Sequence, residues 1–433
     1  IKCIDDKTEA IQPFDSFFKF SPLLDPIKFM VGKYKHIDAD TLCSLPKTVS
    51  NTCCKKVLDS NNSAYADSFF SYLSSRLLND NGFIHGTCFY GSFLTIQNEF
   101  KLNIFDDLEY LYDSPFFHKQ KNVLFLADDV DEERLLESDT RNYRKKIKLN
   151  EIGDDIELNC ENIDNGMFEG MFKLTTENLK IHDSSLKEEY SIDKEGSGSK
   201  SSKKTSSTCS SRSSNTNSSD SENNNENSDD EDESSEELSN SQLSEYSSMN
   251  SEEIVNATVY NFPVQVICLE KLENTLDSLL DDEENELTDK EWKSCLFQVI
   301  MILLTYQKVF NFTHNDLHTN NIMYISTQKK FINYKYNNTY YRVPTYGKIY
   351  KIIDFGRAIY NYKGQIICSD SYHKKGDAAT QYNCEPYFNH KKPRLEPNKS
   401  FDLCRLGCSL FDYFIEDIKD QNKVKNSIAK LIV

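Results

Sequence analysis

Two short segments hold side chains whose types and spacing suit chemistry on a hydroxyl and a divalent cation. The first is His314-Asn315-Asp316-Leu317-His318-Thr319-Asn320-Asn321-Ile322, which contains an Asp-x4-Asn pair. The second is Ile352-Ile353-Asp354-Phe355-Gly356-Arg357-Ala358, an apolar run that ends in Asp-Phe-Gly. A carboxylate with no competing role can orient a hydroxyl and take its proton. An amide oxygen and a second carboxylate are hard donors of the kind Mg²⁺ prefers.

In this order, each beside an apolar strand pattern, the two segments resemble the catalytic loop and metal-binding Asp-Phe-Gly of the eukaryotic-type protein kinases. The resemblance implies Asp316 as catalytic base, Asn321 as a metal ligand and Asp354 as the main metal ligand, with His314 packing beneath them. It implies ATP and Mg²⁺ as cofactors and a protein substrate as acceptor. The fold it implies is α+β: a two-lobed protein kinase-like fold with large insertions and a C-terminal lobe truncated at Val433.

Flanking segments extend the likeness. Val264-Gln-Val-Ile-Cys-Leu-Glu270 followed by Leu272 is similar to the last small-lobe strand and hinge. Leu269 is then the gatekeeper, and Glu270 to Leu272 offer backbone groups to adenine. Residues 272–280 read as a short helix. Trp292, Leu296, Val299, Ile300, Leu303 and Leu304 form a helical stripe before the catalytic loop, with Asp289 in its first turn. Downstream, Asp402 in Ser400-Phe-Asp-Leu-Cys-Arg-Leu-Gly407 matches the residue that caps the catalytic-loop backbone.

The N-terminal part follows the pattern less closely. Residues 51–60 read as a strand, and the resemblance assigns the phosphate-contacting lysine to Lys56, with Lys55 as the alternative. Residues 64–78 read as a helix with Phe69, Phe70, Leu73, Leu77 and Leu78 on its apolar face. That helix should carry a glutamate to pair with the lysine. No Glu lies between Thr52 and Asp80, and the helix holds only Asp67, placed early. No Gly-x-Gly-x-x-Gly precedes Lys56. Asn315 stands where an arginine would bind a phosphorylated activation segment, and His318 replaces a lysine.

Two alternatives use the same residues. The His-x-Asp-x-His-x2-Asn form also occurs in small-molecule kinases of the aminoglycoside and choline type. The missing glycine loop and helix glutamate are features of a pseudokinase scaffold. The Asn/Lys/Tyr-rich style and the string from Gly376 to Tyr387 look like the serine/threonine protein kinases of giant DNA viruses.

The chain has 433 residues and a formal charge of −19, which argues against a nucleic-acid partner. Residues 181–255 hold 18 acids and 6 bases, so they carry −12 of that charge. Residues 193–253, rich in Ser, Asn and acids, read as a disordered loop. Within it, Ser228-Asp-Asp-Glu231 and Ser235-Glu-Glu237 are serines followed by acids. The longest apolar run, Cys295 to Tyr306, is 12 residues and too short to span a bilayer. Cysteine spacing fits free thiols in a reducing intracellular compartment: host cytoplasm, or a virion if viral. The expected layout is small lobe over 1–98, an insertion of unknown structure over 99–192, the acidic loop over 193–253, last small-lobe strand and hinge over 254–272, and large lobe over 273–433. A second insertion is expected over 327–347.

Overall fold

A computed structural model describes residues 2–4, 11–13, 15–47, 53–128, 255–281, 286–415 and 427–432. The expected acidic loop lies outside the described residues, as does most of the expected insertion over 99–192. In chain order the elements are β1 (Lys2–Ile4), β2 (Ile11–Pro13), β3 (Ser16–Pro22), α1 (Pro26–Met30), α2 (Ala39–Leu42), α3 (Lys55–Leu58) and α4 (Ser63–Asn81). Then follow β4 (Phe89–Asn103), α5 (Leu108–Tyr112), α6 (Pro115–Gln120), β5 (Phe125–Ala127), β6 (Asn256–Glu270), β7 (Asn274–Thr275), α7 (Leu276–Asp281) and α8 (Asp289–Phe310). The last are β8 (Ile322–Ser326), β9 (Phe331–Tyr336), β10 (Thr339–Pro344), β11 (Lys348–Ile352), β12 (Ile359–Tyr362), β13 (Gln365–Cys368), α9 (Phe401–Phe414) and α10 (Ser427–Ile432).

The largest sheet is antiparallel with order β3-β6-β4, and β5 adds to β6. Its central strand β6 carries Val264, Val266 and Ile267, all buried, as suits a strand covered on both sides. Helix α4 lies against this sheet. Asn62 starts it by accepting the Ala64 N–H, and Gly82 stops it in the left-handed region at φ +67°. The buried side of α4 is mostly small: Ala64, Ala66, Ser68, Ser71, Ser74 and Ser75. Small residues let the helix backbone approach closely. At Gly86 a Cβ would stand 2.4 Å from the Ser74 carbonyl oxygen, so only glycine fits there.

Helix α8 begins with a capping box between Thr288 and Glu291 and ends at Asn311, φ +49°. Trp292, Val299, Ile302, Leu303 and Tyr306 are buried in a core with Phe70, Phe312, Phe355 and Leu410. A second core lies between the sheet and α1, α5 and α6. No helix among the described residues is long and apolar enough to cross a membrane.

Several expectations need correction. Residues 55–58 form a helix, not a strand. The apolar residues near Lys56 do not pair with the sheet; Cys53, Cys54 and Val57 sit in the second core. The first insertion does not begin at Glu99, because β4 runs unbroken to Asn103 against β6, and residues 105–127 fold onto the second core. The short helix starts at Leu276, since Asn274 and Thr275 pair with β8. The stretch 327–347 is the β9–β10 hairpin, turned by Asn337 and Asn338 at φ +46° and +63°. Two consecutive positive φ values make the turn type that matches strand twist, and asparagine tolerates them.

Candidate functional site

The site forms where β3, α4, the loop after α8 and the end of β11 converge. On β3, Lys19 Nζ lies 2.7 Å from Asp67 Oδ2 of α4 and 2.8 Å from Asp354 Oδ1. Asp67 also accepts the Phe355 N–H through Oδ1 at 2.8 Å. One carboxylate thus ties a strand, a helix and the Asp-Phe-Gly turn together. Burial favours the neutral form of Lys19, but Asp354 and Asp67 outweigh it and raise the amine above its ordinary value. Burial raises the Asp67 carboxyl against the pull of Lys19. At Asp354 burial also pushes upward, yet Lys19 prevails and holds the carboxyl below its ordinary range.

Asp354 sits at φ +62°, a left-handed conformation uncommon for a residue other than glycine. Its side chain is about half exposed, 48 %. Phe355, next along, is buried among Phe70, Phe312 and His314, with ring centroids at 4.6, 6.0 and 5.8 Å. That packing anchors the turn and leaves the Asp354 side chain exposed.

The loop after α8 is built on one buried carboxylate. Asp402 of α9 is fully buried and accepts the N–H of His314 at 2.9 Å and of Asn315 at 2.8 Å. Burial raises its carboxyl, opposed by His314 and by those two N–H groups. Asn315 takes φ +67°, a second left-handed residue beside the site. Its amide donates to the Arg357 carbonyl, and its oxygen accepts the Tyr382 O–H at 2.8 Å. His314 donates from Nε2 to the Ile353 carbonyl and accepts the Asp316 N–H at Nδ1.

Asp316 is held with its Oδ1 buried and without a hydrogen bond. Two guanidinium groups approach that oxygen, Arg405 at 3.6 Å and Arg357 at 3.9 Å. Asn321 donates from Nδ2 to the Asp316 carbonyl at 2.8 Å and to His318 Nε2 at 3.1 Å. Its own oxygen is thereby turned away from the loop. Burial lowers the His318 pKa, which suits a neutral ring accepting that bond.

The backbone joins the two segments: the Ile353 N–H donates to the Asn321 carbonyl at 3.0 Å, one residue before Asp354. Lys56 is engaged elsewhere. Its ammonium pairs with Asp370, while the lysine at Asp354 is Lys19. Lys19 was missed. Its strand, Phe17-Phe18-Lys19-Phe20, is apolar on both faces and shows no alternation, and its partner β6 lies far along the chain. The signal that could have found it was Asp67, which needed a cation in reach.

At the expected hinge, Leu269 and Glu270 end β6, and Leu272 is buried beyond it. The Glu270 N–H is committed to the Cys88 carbonyl at 3.0 Å. The Glu270 carboxylate pairs with Lys351, a buried lysine that also donates to the Gly86 carbonyl at 2.7 Å. Among the described residues no group of three or more His, Cys, Asp or Glu could hold a metal by itself. Asp354 and Asn321 carry hard oxygen donors of the kind Mg²⁺ takes together with retained waters.

No family model matches the chain. Over 91 residues, 19 % of the chain, it is 40 % identical to a protein of Dictyostelium discoideum described as "Probable serine/threonine-protein kinase". The match spans 7 % of that protein's length. A part of this chain is thus similar in sequence to part of a protein described as a kinase.

Proposed function

We propose that the chain is a two-lobed protein kinase that transfers the γ-phosphate of ATP to serine or threonine hydroxyls. The observation that carries this reading is the shared contact of Lys19 with Asp67 and Asp354, on the turn that follows the Asp316 loop. A lysine paired with a helix carboxylate and set against an Asp-Phe-Gly aspartate is the arrangement phosphotransfer needs to hold ATP phosphates. The similarity to a probable serine/threonine-protein kinase supports the same reading.

On this reading Lys19, not Lys56, contacts the phosphates. Asp67 takes the part of the missing glutamate. Its side chain is one methylene shorter than that of glutamate and still reaches the lysine at 2.7 Å. Asp354 and Asn321 would hold Mg²⁺, which neutralises charge on the transferred phosphoryl group when bound. Asp316 orients the acceptor hydroxyl and takes its proton on its carboxylate. Arg357 and Arg405 face that carboxylate at 3.9 and 3.6 Å and hold its orientation. Leu269, Glu270 and Leu272 line the adenine end of the cleft.

The intact Asp316, Asn321 and Asp354 with a paired lysine favour turnover over a scaffold role. The test is Mg²⁺-dependent transfer of labelled γ-phosphate to a serine-containing protein. Transfer lost in both Lys19→Met and Asp354→Asn supports the reading. Transfer unaffected by either contradicts it.

A further inference from the structure

The segment from His373 to Lys399 carries six lysines and arginines against three acids, on a chain whose total is −19. All three acids are already engaged. Asp377 binds Arg357 at 2.5 Å, and Glu385 and Glu396 both bind Arg394. The remaining cations, Lys374, Lys375, Lys391, Lys392 and Lys399, are exposed and form no ion pair with a described residue.

Part of this surface is tied to the site by a short chain of contacts. Tyr382 donates to Asn315, the neighbour of Asp316. The next residue, Asn383, gathers the loop that follows. Its Nδ2 donates to the carbonyls of Asn389, Lys392 and Pro393 at 3.1, 3.1 and 2.7 Å. Its Oδ1 accepts the Asn389 N–H at 2.8 Å, and its backbone bridges Leu395. Lys391 and Lys392 thus ride on a loop of fixed shape anchored beside Asp316.

We infer that the acceptor is an acidic segment, a serine or threonine flanked by Asp or Glu, with its carboxylates received by Lys391 and Lys392. This rests on the proposed phosphotransfer and names its substrate class. Charge complementarity of this kind selects partners and suppresses wrong ones by like-charge repulsion. An extended peptide advances about 3.3 Å per residue, so acids a few residues from the acceptor can reach these cations. The chain's own Glu226–Leu238 stretch, with serines followed by acids, has the required chemistry.

Two readouts test this on the full chain. The first is binding of a fluorescent peptide copying residues 226–238, against the same peptide with its acids changed to lysine. The second is kcat and KM for transfer to each. The expected result is at least tenfold preference for the acidic peptide, weakened by added salt, and lost or inverted in Lys391→Glu/Lys392→Glu chiefly through KM. Equal binding of both peptides, or preference for the lysine form, overturns the inference whether or not transfer occurs. Acidic preference in binding without transfer to any acceptor would uphold the surface and instead overturn the phosphotransfer reading.

Discussion

Lys19 Nζ lies 2.8 Å from Asp354 Oδ1, which joins a strand near the start of the chain to the turn after β11. The same amine is 2.7 Å from Asp67, whose other oxygen holds the Phe355 N–H. Four groups from three elements are therefore interlocked, and displacing α4 would release both the lysine and the turn. The site's shape depends on the seating of that helix.

Lysine substitutions separate the two candidates for phosphate contact. Lys19→Met is expected to lower phosphotransfer on the order of 100-fold or more, the usual cost of losing a preorganised charged donor. Lys56→Met is expected to change it less than about tenfold, because that amine serves Asp370. Steady-state rates at saturating ATP decide the matter. Equal losses would contradict the assignment.

The contrast between these lysines shows what the sequence could and could not reveal. The segments holding Asp316, Asn321 and Asp354 stand out in the sequence because each pattern is local, and the Asp402 cap on His314 and Asn315 is present as expected. Helix α8 was legible from its stripe and from Trp292 onward. Lys19 was hidden because β3 finds its partner only across the long stretch that separates β4 from β6. Lys56 misled because Cys53, Cys54 and Val57 are buried in a core, which imitates the apolar pattern of a strand. The insertion expected from Glu99 follows from the kinase-like spacing of the flanking segments, which gives no sign of how far β4 extends. Glu99 and Lys101 lie on β4 and, though exposed, still pair with β6.

Asp67 is buried against Lys19 and the Phe355 N–H, so a longer acid should not fit there. Asp67→Glu is expected to lower stability by about 1–3 kcal/mol through overpacking and to reduce transfer roughly tenfold. Urea unfolding together with rates would show this. A fully active, equally stable variant would contradict this account of the fit.

Asp402 has no solvent to fall back on. Asp402→Ala leaves two buried N–H groups without an acceptor, at a cost of about 3 kcal/mol. Asp402→Asn keeps one acceptor and should cost less. Chemical denaturation of the three proteins would test that order, and identical midpoints would contradict it.

His85 provides an acid-sensitive element away from the site. It donates from Nδ1 to the Tyr350 carbonyl at 2.7 Å, and Nε2 accepts the Tyr334 O–H at 2.8 Å. Burial lowers its pKa to about 4, despite the bond to Tyr350. The ordinary value is 6.5, so the folded state favours the neutral ring. Its contribution is complete above pH 6.5 and is lost as the pH falls toward 4, about 3 kcal/mol in all. Stability of His85→Leu should fall less steeply than wild type across that window. Parallel curves would contradict the assignment.

The central claim is that Asp316 is the base of a phosphotransferase. The most direct measurement is label transfer from γ-labelled ATP with Mg²⁺ to an acidic serine peptide and to the chain itself, comparing wild type with Asp316→Asn. The substitution keeps the size of the side chain and removes its basicity. The account predicts transfer by the wild type and a loss of about 100-fold or more in the variant. Equal transfer by both proteins, or none by a wild type that binds Mg²⁺ and ATP, would contradict it.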